Sequence, residues 1–137
     1  MKRVVVTGMA GITSLGETAD EIFLKFHEGK SGICYMPDWE QYPDLRTKLA
    51  GPVANFQIAK HFNRKVTRGM GRVALMSVIS AENALQDAGL LGNDVLQNGE
   101  TGVAYGSSAG SVDAVREFGN MLDRKSTRLN SSHQIIS

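Results

Sequence analysis

One thiol, three imidazoles, two glycine-rich stretches and one cluster of cations are the groups in this 137-residue chain that could do chemistry. Cys34 is the only cysteine. It would serve as a nucleophile only where a neighbouring base or a helix N-terminus favours the thiolate. Ile33, Tyr35 and Met36 surround it with no histidine nearby, so it reads as a small packed residue. His27, His61 and His133 are far apart and form no H-x-x-x-H or related ligand spacing, so no metal is expected. A single cysteine also excludes an internal disulfide framework and a Cys-rich zinc site.

Gly8, Gly11 and Gly16 follow a run of valines, where a dinucleotide-binding loop would stand. They do not make G-x-G-x-x-G, and the next helix begins near Thr18, too far along to offer its N-terminus to a pyrophosphate. A short-chain dehydrogenase would want glycines where Ile12 and Ser14 stand. Gly29-Lys30-Ser31 has the ending of a P-loop, but Leu24 fills the first glycine position. The tripeptide also follows a helix instead of opening one, and reads as a helix stop with a solvated lysine. No cofactor is expected.

Lys60, Arg64, Lys65, Arg68 and Arg72 form a basic stretch with His61. Arg64, Arg68 and Arg72 share a face if all three are helical. Two readings stand side by side: a solvated helix face, or a surface that steers and docks an acidic partner. Nucleic acid fits less well, because aromatic interleaving is missing and the net charge is only +1.

The elements that must carry these groups follow from pattern. Arg3 to Thr7 is valine-rich without alternation, which predicts a buried strand covered on both faces. Thr18 and Glu21 make a T-x-x-E capping box for a helix bearing Ile22, Phe23 and Phe26 and stopping at Gly29. Ser31 to Gly51, with Pro37, Trp39, Tyr42 and Pro43, reads as an ordered surface excursion. Pro52 to Phe56 suits a short edge strand. A long helix is predicted from about Thr67 to Ala88, stopped by Gly89. Its stripe of Ala74, Ser77, Ala81, Ala84 and Ala88 calls for close approach by a neighbour. Thr101 to Tyr105 is a second strand, followed by the turn Gly106 to Gly110 and a helix capped by Ser111 and running to about Leu122.

Hydrophobic residues at 42% and charged residues at 21% suit a folded α/β body of one domain. Met1-Lys2-Arg3 before Val4 to Leu15 faintly resembles an export signal, but Thr7, Gly8, Gly11 and Thr13 interrupt it and no cleavage site follows. No run of 18 apolar residues exists, so no membrane contact and a cytoplasmic location are expected. Residues 123–137, DRKSTRLNSSHQIIS, break the pattern. They look like an in-frame translation of a sequencing-library adapter, hence a non-native, disordered tail. A disordered native C-terminus would have the same composition. The tail carries three of the fifteen Lys and Arg residues and one of the fourteen acids, so the slight basicity comes from it.

Several segments together carry a resemblance. Arg3-Val-Val-Val-Thr-Gly-Met-Ala-Gly-Ile-Thr-Ser-Leu-Gly16 resembles the opening strand and loop of β-ketoacyl-[acyl-carrier-protein] synthases. Gly29-Lys-Ser-Gly-Ile33 resembles their G-x-S-G-I segment. Phe62-Asn-Arg-Lys-Val-Thr-Arg-Gly-Met70 and Ala81 to Leu90 are similar to the two ends of their long helix, and Gly102 to Gly110 to the following strand and glycine turn. The likeness covers Lys2 to Leu122 and is nearest to synthase II-type enzymes and their polyketide or polyene relatives.

This resemblance implies an α/β chain, the partial first half of a thiolase-like layered αβαβα fold, with residues 1–122 an incomplete N-terminal part of the synthase domain. It implies elongation of acyl chains by decarboxylative Claisen condensation with malonyl-acyl carrier protein. The family's nucleophilic cysteine and two histidines lie beyond Leu122, so no catalytic residue is assigned here and the fragment itself is expected to be inactive. Lys65 and Arg68 match positions that present positive charge to acyl carrier protein. Gly69 stands where the family often has a further basic residue. Ala109 matches a position that shapes the acyl pocket. The complete enzyme would be a homodimer or heterodimer. The rival readings are a non-catalytic partner subunit like the chain-length factors and, less well supported, an NAD-dependent dehydrogenase.

Overall fold

The computed structural model describes residues 3–133. Its elements, in chain order, are helix α1 (Ala19–His27), strand β1 (Cys34–Tyr35), a 3-10 turn (Pro37–Gln41), strand β2 (Leu49–Ala50), helix α2 (Arg64–Thr67), helix α3 (Arg72–Asp87), a second 3-10 turn (Asp94–Leu96) and helix α4 (Val112–His133).

Helix α1 starts as its capping box requires. The Thr18 hydroxyl accepts from the Glu21 amide at 3.3 Å. The Glu21 carboxylate reaches back one residue further than expected and accepts from the Glu17 amide at 3.0 Å. That bond is the largest influence on the Glu21 carboxyl and, helped by Thr18 and Lys25, outweighs the opposing desolvation to hold it below its usual range. Because its folded pKa is depressed, the contribution is present above the unfolded value and fades as pH falls through the folded one. The Glu17 amide resonance is therefore expected to shift in acid with a midpoint below that of a free glutamate, about 4.3. Glu21→Gln should abolish the shift, and a midpoint at or above the free value would contradict the bond.

Both predicted glycine stops are present. Gly29 has φ +65° and Gly89 φ +68°. In each case the glycine amide and the one after it turn back to the last carbonyls: Gly29 to Phe26 and Lys30 to Lys25, Gly89 to Gln86 and Leu90 to Leu85. This double closure is the Schellman arrangement, which a residue without Cβ adopts without strain.

The long helix predicted from Thr67 to Ala88 is present as α3 but starts only at Arg72, and a separate short helix, α2, ends at Thr67. Asn63 caps α2, its side-chain oxygen accepting from the Lys65 amide at 2.8 Å. Gly69-Met70-Gly71 separates α2 from α3. Two glycines within three positions each disfavour helix by about 1 kcal/mol, which is enough to decide a break at an exposed site. The expected close approach to the small stripe of α3 is found at its end. A Cβ on Gly8 would lie 2.7 Å from the Ala88 nitrogen and 2.8 Å from its Cβ. The next amide, Met9, donates to the Asp87 carboxylate at 2.8 Å. The opening loop is thus pinned to the last turn of α3.

The strands differ from expectation. Arg3 to Thr7, Pro52 to Phe56 and Thr101 to Tyr105 belong to no ladder. The ladder among the described residues is the antiparallel pair β1–β2, with Cys34 opposite Ala50 and Tyr35 opposite Leu49, inside the segment read as an ordered surface excursion. The first strand is not buried: Val4 is 97% exposed and Val103, in the second, 89%. No described residue is fully buried. A strand that is apolar on both faces gains order only from neighbours on each side, and these segments have none to pair with.

Helix α4 runs past Leu122 to His133, since neither glycine nor proline follows Gly119 to stop it. The tail residues 134–137 lie outside the described residues. No helix among the described residues is long and apolar enough to cross a membrane.

Candidate functional site

Two surfaces come from the same pair of helices. The first is the basic stretch. Lys60, Arg64, Lys65 and Arg68 are all exposed. Their side chains enter no ion pair or hydrogen bond with the described residues, whereas Lys30, Lys48 and Arg116 are each paired with a carboxylate. Helix α2 and its cap thus present a local excess of positive charge. Arg72, beyond the glycine break, faces another way. Its guanidinium donates to the Val53 carbonyl and lies 5.3 Å from the centre of the Phe56 ring. The alignment of Arg64, Arg68 and Arg72 on one helix face is therefore not realised.

The second surface is an apolar groove of about 730 Å³ between α3 and the segment 103–111. Val73, Ala74, Val78 and Ala81 line one wall, Val103 and Tyr105 the other. The one carboxylate in its lining, Glu82, is held by His61, whose Nε2 lies 3.0 and 2.9 Å from the two carboxylate oxygens. The His61 ring also packs against Phe62, centroids 4.4 Å apart. His61 is thus a tether from the basic stretch to α3, a role that local spacing could not reveal across 21 residues.

The glycine turn closes one end of the groove. The Ser107 hydroxyl accepts from the Gly110 amide at 2.9 Å, and Gly110 has φ +62°. Ala109 sits exposed on this turn, while Gly106, Ser107, Gly110 and Ser111 form the groove wall. Ser111 does something the sequence did not announce. Its carbonyl accepts from the Ala114 and Val115 amides and so begins α4, as expected of a cap residue. Its hydroxyl, however, accepts from the Val73 amide of α3 at 3.2 Å. The only local signal was negative: Gly71 precedes α3 and has no side chain with which to cap it.

Cys34 is exposed in β1 as a free thiol without a hydrogen-bonding base. Among the described residues no three His, Cys, Asp or Glu side chains gather as metal ligands.

Comparison with known proteins completes the picture. The β-ketoacyl synthase N-terminal domain matches residues 1–137. A crystal structure of a β-ketoacyl synthase from Burkholderia phymatum STM815 superposes with a TM-score of 0.80 at 47% identity, over 90% of this chain and 30% of that one. The 3-oxoacyl-[acyl-carrier-protein] synthase 1 of Haemophilus influenzae is 35% identical over 123 residues, 85% of this chain and 30% of its own length. The corresponding synthase 2 of Synechocystis is 30% identical over 121 residues, 88% of this chain and 29% of its own. The chain spans about 30% of the length of these relatives. Its fold is accordingly a partial thiolase-like α/β arrangement, as the resemblance implied, and it belongs to the family of β-ketoacyl synthase N-terminal domains.

Proposed function

We propose that this chain is the N-terminal part of a 3-oxoacyl-[acyl-carrier-protein] synthase that elongates acyl chains in fatty-acid or related polyketide or polyene synthesis. The names carried by its relatives support the reaction class. The observation that carries the role of this part is the set of four unpaired cations on and beside α2. In the reaction, an acyl group moves from its carrier thioester to a cysteine. Malonyl on a second carrier then loses carbon dioxide, and the resulting carbanion attacks the acyl thioester and expels the cysteine thiolate. Dividing a difficult carbon–carbon bond formation in this way lowers each barrier. The cysteine and its two histidines belong to the remainder of the enzyme. The residues described here serve delivery and fit. Lys65 and Arg68 meet the acidic carrier protein, and Ala109 leaves room for the acyl chain at the glycine turn. The enzyme would act in the cytoplasm as a homodimer or heterodimer.

Charges at the rim of an interface act mainly on association rate and on salt dependence. In the complete enzyme, Lys65→Glu combined with Arg68→Glu is expected to slow carrier-protein association at least about tenfold at low salt, with the difference shrinking as salt is raised. Stopped-flow association across a salt series checks this. Unchanged rates would return both residues to an ordinary solvated face.

A further inference from the structure

We propose that Ser111 is a positioning residue that ties the carrier-docking segment to the turn that fits the acyl chain. The inference rests on the reading of Lys65, Arg68 and Ala109 given above, and on a geometry independent of it. The first amides of a helix have no partner within the helix. At the start of α3 the residue in capping position is Gly71, and its neighbour but one, Val73, finds its acceptor 38 residues away on Ser111. That bond is partly buried. The approach it requires is so close that a Cβ on Gly71 would overlap the Cβ and hydroxyl of Ser111. Gly71 and Ser111 thus form a matched pair, one residue without a side chain and the other filling the space.

The links on either side are short. Arg68, the last residue of the docking segment, is separated from α3 by Gly69, Met70 and Gly71 alone. Ala109 is joined to Ser111 through Gly110, whose amide is fixed by Ser107. Ser111 in turn anchors α4 through its carbonyl. One hydroxyl therefore sets where the turn stands relative to α2 and α3. Its loss would let the turn shift along the groove while leaving the cysteine and histidines of the condensation untouched. A shift of the turn changes how well acyl chains of different length fit far more than it changes the chemistry at the thioester.

The test uses the complete enzyme with Ser111 intact, Ser111→Ala, Ser111→Thr and Gly71→Ala. The readout is the ratio of kcat/KM for a long to a short acyl group, both supplied on carrier protein. A serine with a merely structural role would lower both values together and leave the ratio alone. The expected result is a change in the ratio of about fivefold or more in Ser111→Ala, with Ser111→Thr, which keeps the hydroxyl, near the original. Gly71→Ala, which pushes Ser111 off the Val73 amide, should move the ratio in the same direction. A ratio unmoved in both alanine variants overturns the proposal, including when little soluble enzyme is recovered and only that fraction is assayed. So does a threonine variant that shifts as far as the alanine one. An unsubstituted enzyme that condenses no acyl group would instead bring down the underlying reading, and the two failures are told apart by that control.

Discussion

Incubated with acyl- and malonyl-carrier protein, the isolated 137-residue chain releases no carbon dioxide above a protein-free control, and mass spectrometry finds Cys34 unmodified. The expectation follows from what surrounds the thiol. Cys34 lies in a two-residue strand, exposed, with no base to take its proton and no helix N-terminus beside it. A thiol with neither a neighbouring base nor a helix N-terminus to favour the thiolate is a poor nucleophile toward a thioester. Of the imidazoles, His61 is held by Glu82 and His27 lies in the last turn of α1. Stoichiometric acylation of Cys34 would show that the chain carries a nucleophile the geometry does not account for.

A second large effect is expected in folding. Heated or diluted from denaturant, residues 1–122 should give a broad transition, bind a hydrophobic dye and protect few amides from exchange. The valines of 4–6 are each more than two-thirds exposed, and Phe23, Phe26 and Phe118 are more than half exposed. Fully burying such a side chain contributes about 1.5–3 kcal/mol, and a domain's net stability is only about 5–15 kcal/mol. Leaving several uncovered removes most of that margin. The chain spans about 30% of its relatives' length, and in the complete enzyme proposed above the remaining length would supply the surfaces that cover these side chains. A soluble monomer with a sharp two-state transition would refute this account.

How much of the molecule could be read from sequence depends on how far each cause reaches. The start of α1 and the ends of α1 and α3 were legible because their hydrogen bonds join residues three to five apart: Thr18 with Glu21, Lys30 with Lys25, Leu90 with Leu85. The close neighbour expected along the stripe on α3 is present only at its end, where Gly8 meets Ala84 and Ala88, while Ala74, Ser77 and Ala81 line the open groove. The break at Gly69–Gly71 was missed because helical periodicity on both sides masked two residues that weaken a helix. The strands at 3–7 and 101–105 were misread for the opposite reason. Valine content reports a preference for pleated surroundings, and a strand exists only where another chain segment pairs with it. The basic stretch was legible as charge but not as geometry, and the structure separates its free cations from Arg72. Ser111 shows the limit most plainly. Its carbonyl role was local and expected, while its hydroxyl bond to Val73 spans 38 residues and left no mark in the nearby sequence.

The pinning of the opening loop to α3 also has a consequence in time. Met9 and Asp87 are joined by a hydrogen bond, yet 78 positions separate them. At a synthesis rate of about 5–20 residues per second, the seat for Gly8 and Met9 emerges on the order of 4–16 s after they do. Throughout that interval Gly8 and Met9 have no partner on α3. The newborn opening loop is therefore a natural client for a chaperone, and slower translation lengthens its wait.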